Sequence, residues 1–198
     1  MRLLGVSGSM REASCGLKAL QLVLQDAQAQ GATTRVLDLR ATALPMFQPD
    51  AVDVGPGPAL AREAVEWAHG IIVVTPDYHG SMSGAVKNFF DYHWAEFAGK
   101  LFGYVCMSHE KGLTAMDQMR TAVRQCYGWS LPYGVSIHGE SDFSEAGLII
   151  NPHLHQRLRI LARDMTIYGR LIHDQFMRDQ RDPEAASFAN KYGNAKRP

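Results

Sequence analysis

The sequence predicts an α/β protein: a doubly wound, five-stranded parallel sheet in the order 2-1-3-4-5, with helices on both faces. Three observations lead there. Short runs of β-branched and other apolar residues, such as Gly70-Ile71-Ile72-Val73-Val74-Thr75, have the composition of strands buried on both faces. Between them lie segments whose apolar residues recur at helical spacing. The two kinds alternate strictly, and strict alternation implies a parallel sheet built from right-handed crossovers.

In chain order, Leu3 to Ser7 is a first strand, and Gly8 to Ser14 the loop after it. Leu17, Leu20, Val23, Leu24 and Ala27 mark a helix that should stop at Gly31. Thr33 to Leu39 is the second strand. Ala41 to Pro58, with Pro45, Pro49, Pro56 and Pro58, should be largely loop, Leu44 to Phe47 packing onto the body. A helix over Leu60 to Ala68 precedes the third strand, which Pro76 should end because it has no N–H to donate. After that loop, Val86, Phe89, Phe90, Trp94 and Phe97 form a helical face with more aromatic surface than one face needs to bury, so part of it should meet another subunit. Leu101 to Met107 is the fourth strand, Leu113 to Tyr127 a helix and Tyr133 to His138 the fifth strand. A polar loop over Gly139 to Pro152 leads into a long helix carrying Leu154, Leu158, Leu161, Met165, Tyr168 and Ile172. The expected organisation is one domain over 1–173 and a polar tail over 174–198, mobile or lying as an arm on another subunit.

Composition narrows the function. The chain has 198 residues, enough for a core without staples. Its formal net charge is zero, so nothing in it advertises nucleic acid or an anionic membrane. No apolar run reaches the roughly 18 residues of a membrane span, and the N-terminal apolar segment is too short for a signal peptide. Cys15, Cys106 and Cys126 follow no pairing pattern, which fits reduced thiols in a cytoplasmic protein.

In the expected strand order the ligand crevice lies between the first and third strands, flanked by three loops. The first, Gly8 to Cys15, offers the hydroxyls of Ser9 and Ser14, the forked donors of Arg11 and the free amides of the next helix: the parts of an anion site. Ser14 could equally be no more than that helix's N-cap. The loop is neither a Walker loop nor the three-glycine dinucleotide fingerprint, so the anion reads as a terminal monophosphate. In the second loop Pro76 and Tyr78 offer flat apolar surface, and the amides of His79, Gly80 and Ser81 can bond a ring edge. The third, Ser108 to Gly112, can bond the ring's other end. A phosphate at one loop and a planar polar ring across two others describe flavin mononucleotide.

The stretches GSMREAS, LPMFQPD and TPDYHGSMSGAVKNFFD resemble the NAD(P)H-dependent FMN reductases, a family with a flavodoxin-like fold that includes chromate, quinone and azo reductases. The likeness runs from Leu3 to His138 and is sharpest after the third strand. It implies that Ser9, Arg11 and Ser14, with Cys15 and Gly16 beside them, hold the FMN phosphate. It implies too that Pro76, Asp77, Tyr78, His79, Gly80 and Ser81 line the isoalloxazine, and that Ser108 and Gly112 meet its pyrimidine end. Many relatives have Glu at Asp77, Asn at His79 and Asn at Gly16, and often a second glycine where Leu113 follows Gly112. The implied activity is transfer of electrons from NADPH or NADH through FMN to a small acceptor, such as a quinone, azo compound, metal oxyanion or free flavin. Donors near Ser108 would favour negative charge on the reduced ring, and no side chain need act as acid or base. Relatives are commonly homodimers or homotetramers.

The alternatives are a flavodoxin-like electron carrier and a non-catalytic FMN-binding module. Such carriers are usually strongly acidic, and the balanced charge argues against one. No arginine stands six residues after any cysteine, so a phosphatase cradle is missing. Gly80-Ser81-Met82-Ser83-Gly84 has Met82 where a nucleophile elbow needs serine. His153 and His155 lack the companions of a metal site.

Overall fold

The structure, a computed structural model, describes residues 1–52 and 55–192. The chain runs β1 (Arg2–Ser7), α1 (Cys15–Ala29), β2 (Thr33–Asp38), α2 (Leu39–Thr42), α3 (Gly57–Trp67), β3 (Gly70–Tyr78), β4 (Ser81–Met82) and α4 (Gly84–Asp91). After a 3-10 turn at Ala95–Phe97 come β5 (Leu101–Met107), α5 (Leu113–Gln125), β6 (Trp129–Ser130), β7 (Val135–Ile137), α6 (Gly139–Asp142), α7 (Pro152–Arg181) and α8 (Phe188–Tyr192). The long strands lie in the order β2-β1-β3-β5, all parallel, and the next position is shared by β6 and β7. With β6 and β7 counted as one broken strand, this is the expected 2-1-3-4-5 order.

Pro132 accounts for the break. β6 pairs with Leu101 and Phe102, and β7 with Val105 to Met107. Between them Leu131 still donates to the Phe102 carbonyl (2.9 Å), but the next residue has no N–H to continue the ladder.

Pro76, by contrast, does not end its strand. The Val74 carbonyl faces β1 and accepts from the Gly8 amide. Pro76, two residues on, turns its donorless nitrogen to the same side, where β1 has already ended at Ser7. Its other side stays in register with Met107, and β3 continues to Tyr78.

The period-two alternation of the strands divides the core into two layers. Leu4, Val6, Ile71, Val73, Phe102 and Tyr104 pack under α3, α4 and α5. Leu3, Ile72, Val74, Val105 and Val135 pack under α1 and α7. Phe89, Phe90 and Phe97 belong wholly to the first layer, where they meet each other, His93 and Phe102 edge-on or tilted. The chain's own core therefore absorbs these three rings of the expected aromatic surplus, while Trp94 stays partly exposed. α7 runs on through Arg181, past the expected start of the tail, and the aromatic rings of α8 pack on Tyr127 at the end of α5. The last six residues of that expected tail lie outside the described residues.

Candidate functional site

Three strands of a parallel sheet deliver their following loops to one rim, and side chains then fix those loops to one another. The loop after β1 is fastened to the start of α4: the Ser83 hydroxyl donates to the Gly8 carbonyl (2.8 Å), and the Ser83 amide to Thr75 Oγ1 (2.9 Å). Both serine and threonine are buried, so these bonds are shielded from water. The β3 loop is fastened to the β5 loop in turn. Ser108 Oγ donates to Asp77 Oδ2 (2.7 Å) and accepts from the Glu110 amide (3.0 Å).

The second loop is a tight hairpin between β3 and β4. His79 (φ 57°) and Gly80 (φ 75°) both sit in the left-handed region, as the central residues of a type I′ turn must. Glycine takes this conformation freely, and His79 carries the cost. Exposed Tyr78 stands at the hairpin's shoulder.

The loops enclose a cleft of about 250 Å³ lined by Ser9, Arg11, Ser14, Cys15, Pro76, Asp77, Tyr78 and Ser108. A second cavity of about 550 Å³, lined by His79, Gly80 and Gly112, shares Asp77, Ser108 and His109 with it. Eleven of the thirteen residues singled out in the sequence thus border these two adjoining cavities. The remaining two are placed differently. Gly16 packs against Val74, where a Cβ would meet Val74 Cγ1 at 3.0 Å, and it does not line the cleft. The Ser81 hydroxyl points to Gln118 Oε1 (2.7 Å), and the residue lines a separate groove between β4 and α5. Gly112 needs its lack of a side chain twice over: its φ is 61°, and a Cβ would lie 2.4 Å from Cys106 Sγ.

The donor set at the β1 end suits an anion. Ser14 caps α1, accepting the Leu17 amide (3.2 Å), yet its hydroxyl proton stays free to donate. A helix start leaves its first amides without intrahelical partners, so those of Cys15 and Gly16 remain for a ligand. Arg11 is exposed and forms no ion pair among the described residues, whereas the neighbouring carboxylate of Glu12 is turned to Arg40 (3.3 Å). At the ring end Ser108 spends its one proton on Asp77 and has none for a ligand, contrary to the expected donor role. Burial, with the nearby Asp77 carboxylate, pushes the Cys106 thiol up to about 12, so it is inert.

Sequence reading took in His109 and Glu110 only as part of the Ser108 to Gly112 loop, and it missed Met107, Leu113 and Thr114 beside that loop and Gly139 after β7. The last was findable in principle, since every loop at the carboxyl end of this sheet faces the same rim.

Among relatives, the chain is 30% identical over 111 residues to an NADPH azoreductase of Bacillus sp. strain OY1-2, covering 54% of this chain and 62% of that one. It is 32% identical over 108 residues to an NAD(P)H-dependent FMN reductase of Pseudomonas aeruginosa, covering 50% of this chain and 56% of that one. The matches therefore span less than two thirds of each relative. Among solved structures, FerB, a flavoenzyme NAD(P)H:(acceptor) oxidoreductase from Paracoccus denitrificans, superposes with a TM-score of 0.71 at 16% identity, over 86% of this chain and 97% of that one. RosB, solved with bound 8-demethyl-8-formylriboflavin-5'-phosphate, does so at 0.71 and 12% identity, over 100% and 94%. At such identities these likenesses speak for a flavodoxin-like fold alone. Residues 1–142, well over half of the chain, match the model for NADPH-dependent FMN reductases, and the chain belongs to that family.

Proposed function

We propose that the protein is an FMN-dependent NAD(P)H oxidoreductase that hands electrons to a small acceptor. The observation that carries the reading is the convergence of the loops after β1, β3 and β5 on two adjoining cavities, with anion donors that are unpaired among the described residues at one end and flat apolar surface at the other. That donor set fits FMN. Arg11, Ser9, Ser14 and the first amides of α1 would hold the phosphate. Pro76 and Tyr78 would lie against the ring, while the amides of the His79-Gly80 turn would bond its edge.

FMN, when bound, accepts hydride from the nicotinamide and passes electrons on. The chain's own task is to hold the ring between two loops tied by Asp77 and Ser108, and to leave one face open. Chemistry that resides in the cofactor asks no side chain of the cleft to act as acid or base. Quinones, azo compounds, metal oxyanions and free flavin are the acceptor classes proposed.

The test is a titration of the purified protein with FMN, followed by NADPH and NADH oxidation with a quinone. Saturable binding with a yellow protein, and many turnovers per site, are expected. A protein that stays colourless under saturating FMN would refute the proposal.

A further inference from the structure

We propose, resting on the FMN reading, that Asp77 is a positioning residue that also sets how readily the bound ring accepts electrons. It ties the two ring-binding loops together and holds an uncompensated negative charge in the wall they share.

Asp77 borders both cavities, so no ring spanning them can avoid its neighbourhood. Its two oxygens differ. Oδ2 accepts the Ser108 hydroxyl at 2.7 Å, and Ser108 is itself fixed by the Glu110 amide, which seats the third loop. Oδ1 is buried and has no hydrogen-bond partner. No ion pair to Asp77 is formed among the described residues. A buried carboxylate oxygen left unpartnered costs stability, so its retention needs a reason beyond the clamp. A neutral residue able to accept from Ser108 would close the loops as well.

The charge supplies that reason. Hydride carries one proton and two electrons, so its transfer leaves the nicotinamide one unit more positive and the ring one unit more negative. A fixed negative charge nearby disfavours the second state, as it would disfavour ionisation of any neighbouring acid. Asp77 thus favours the oxidised over the reduced ring. The reduced cofactor is thereby primed to give its electrons up, as an enzyme serving diffusible acceptors requires and an electron store does not.

The experiment measures dissociation constants of oxidised and reduced FMN, by anaerobic titration, for the parent and for Asp77→Asn, Asp77→Ser and Ser108→Ala. Asn keeps an acceptor for Ser108, and Ser removes the charge by a second route should Asn fail to fold. Either charge-removing variant should raise affinity for reduced relative to oxidised FMN about tenfold, which is about 30 mV for a two-electron couple. Ser108→Ala keeps the charge and cuts the clamp, so both redox forms should bind more weakly with their ratio within about twofold of the parent's. An unchanged ratio in the charge-removing variants, or the same shift in Ser108→Ala, would overturn the assignment while leaving FMN binding intact. A parent protein that binds neither form of FMN would sink the functional reading instead.

Discussion

At the carboxyl ends of the strands Arg11 stands exposed with no carboxylate partner among the described residues, beside amides that the start of α1 leaves open. At the amino ends several ionisable groups are gathered and, exposed Arg2 apart, are at least partly buried. His69 and His173 stack with ring centroids 3.7 Å apart and planes within 10°, with Lys100 and Arg2 close by. Lys100 donates to the Ala68 carbonyl (2.5 Å), and burial first, then Arg2, pushes its pKa down to about 8. Burial, then His173 and Arg2, pushes His69 down to about 4. One end of the sheet leaves a cation open to solvent, and the other suppresses charge in order to pack. Solvent access separates the two.

The sharpest way to break this contrast is Arg11→Ala. An exposed cation with no ion-pair partner among the described residues contributes little to the fold, so the melting temperature of the flavin-free protein should not move. FMN binding should weaken by about 1.5–3 kcal/mol, the worth of a hydrogen bond to a charged group, or roughly 10- to 150-fold. Unchanged FMN affinity in a fluorescence titration would remove Arg11 from the site.

Ser14→Ala tests a residue that belongs to both categories. Its oxygen already caps α1, and its proton is free for phosphate. Losing the cap should cost about 0.5–2 kcal/mol of stability, and FMN should also bind more weakly. A stability loss with undiminished FMN binding would make Ser14 a cap alone, which is the simpler of the two readings its sequence position allows.

How much of this was legible beforehand follows the range of the interactions. Strand order and layering rest on local periodicity, and they were readable from runs such as Gly70 to Thr75. The cleft's membership was readable because a parallel sheet brings its loops together, whatever their side chains do. Local chemistry misled in one place: Pro76 reads as a stop, and only the early end of β1 lets β3 run past it. The His79-Gly80 turn was readable in principle, an X-Gly pair at a reversal being a hairpin signal. What no pattern could supply were pairings between distant side chains. Asn88 accepts from the Phe47 amide (2.8 Å) and donates to the Pro45 carbonyl (2.8 Å), and so straps the LPMFQPD stretch to α4. The Asp77–Ser108 clamp and the His69–His173 stack are of the same kind, decided by packing and not by spacing.

That stack gives the smallest effect. Both histidines have lowered pKa values, first by burial and then by neighbouring cations, with Asp174 only partly offsetting this at His173. A base whose folded pKa lies below its unfolded value is neutral in the folded state and takes up its proton more readily when unfolded. Its contribution to stability is therefore complete above the ordinary value of 6.5 and drains away as pH falls toward about 4 at His69. Both residues are partly exposed, so solvent screening keeps the energy modest. His173→Phe keeps a flat ring against His69 while removing one titrating group and one source of repulsion. Thermal melts should show the variant and the parent alike near pH 7.5, with the variant losing less stability between pH 6.5 and 4. The carboxylates protonated over that range are common to both proteins, so the difference isolates the stack. Parallel pH profiles would mean that the rings stack without their protonation mattering to the fold. The contrast between the two ends of the sheet would then rest on Lys100 alone.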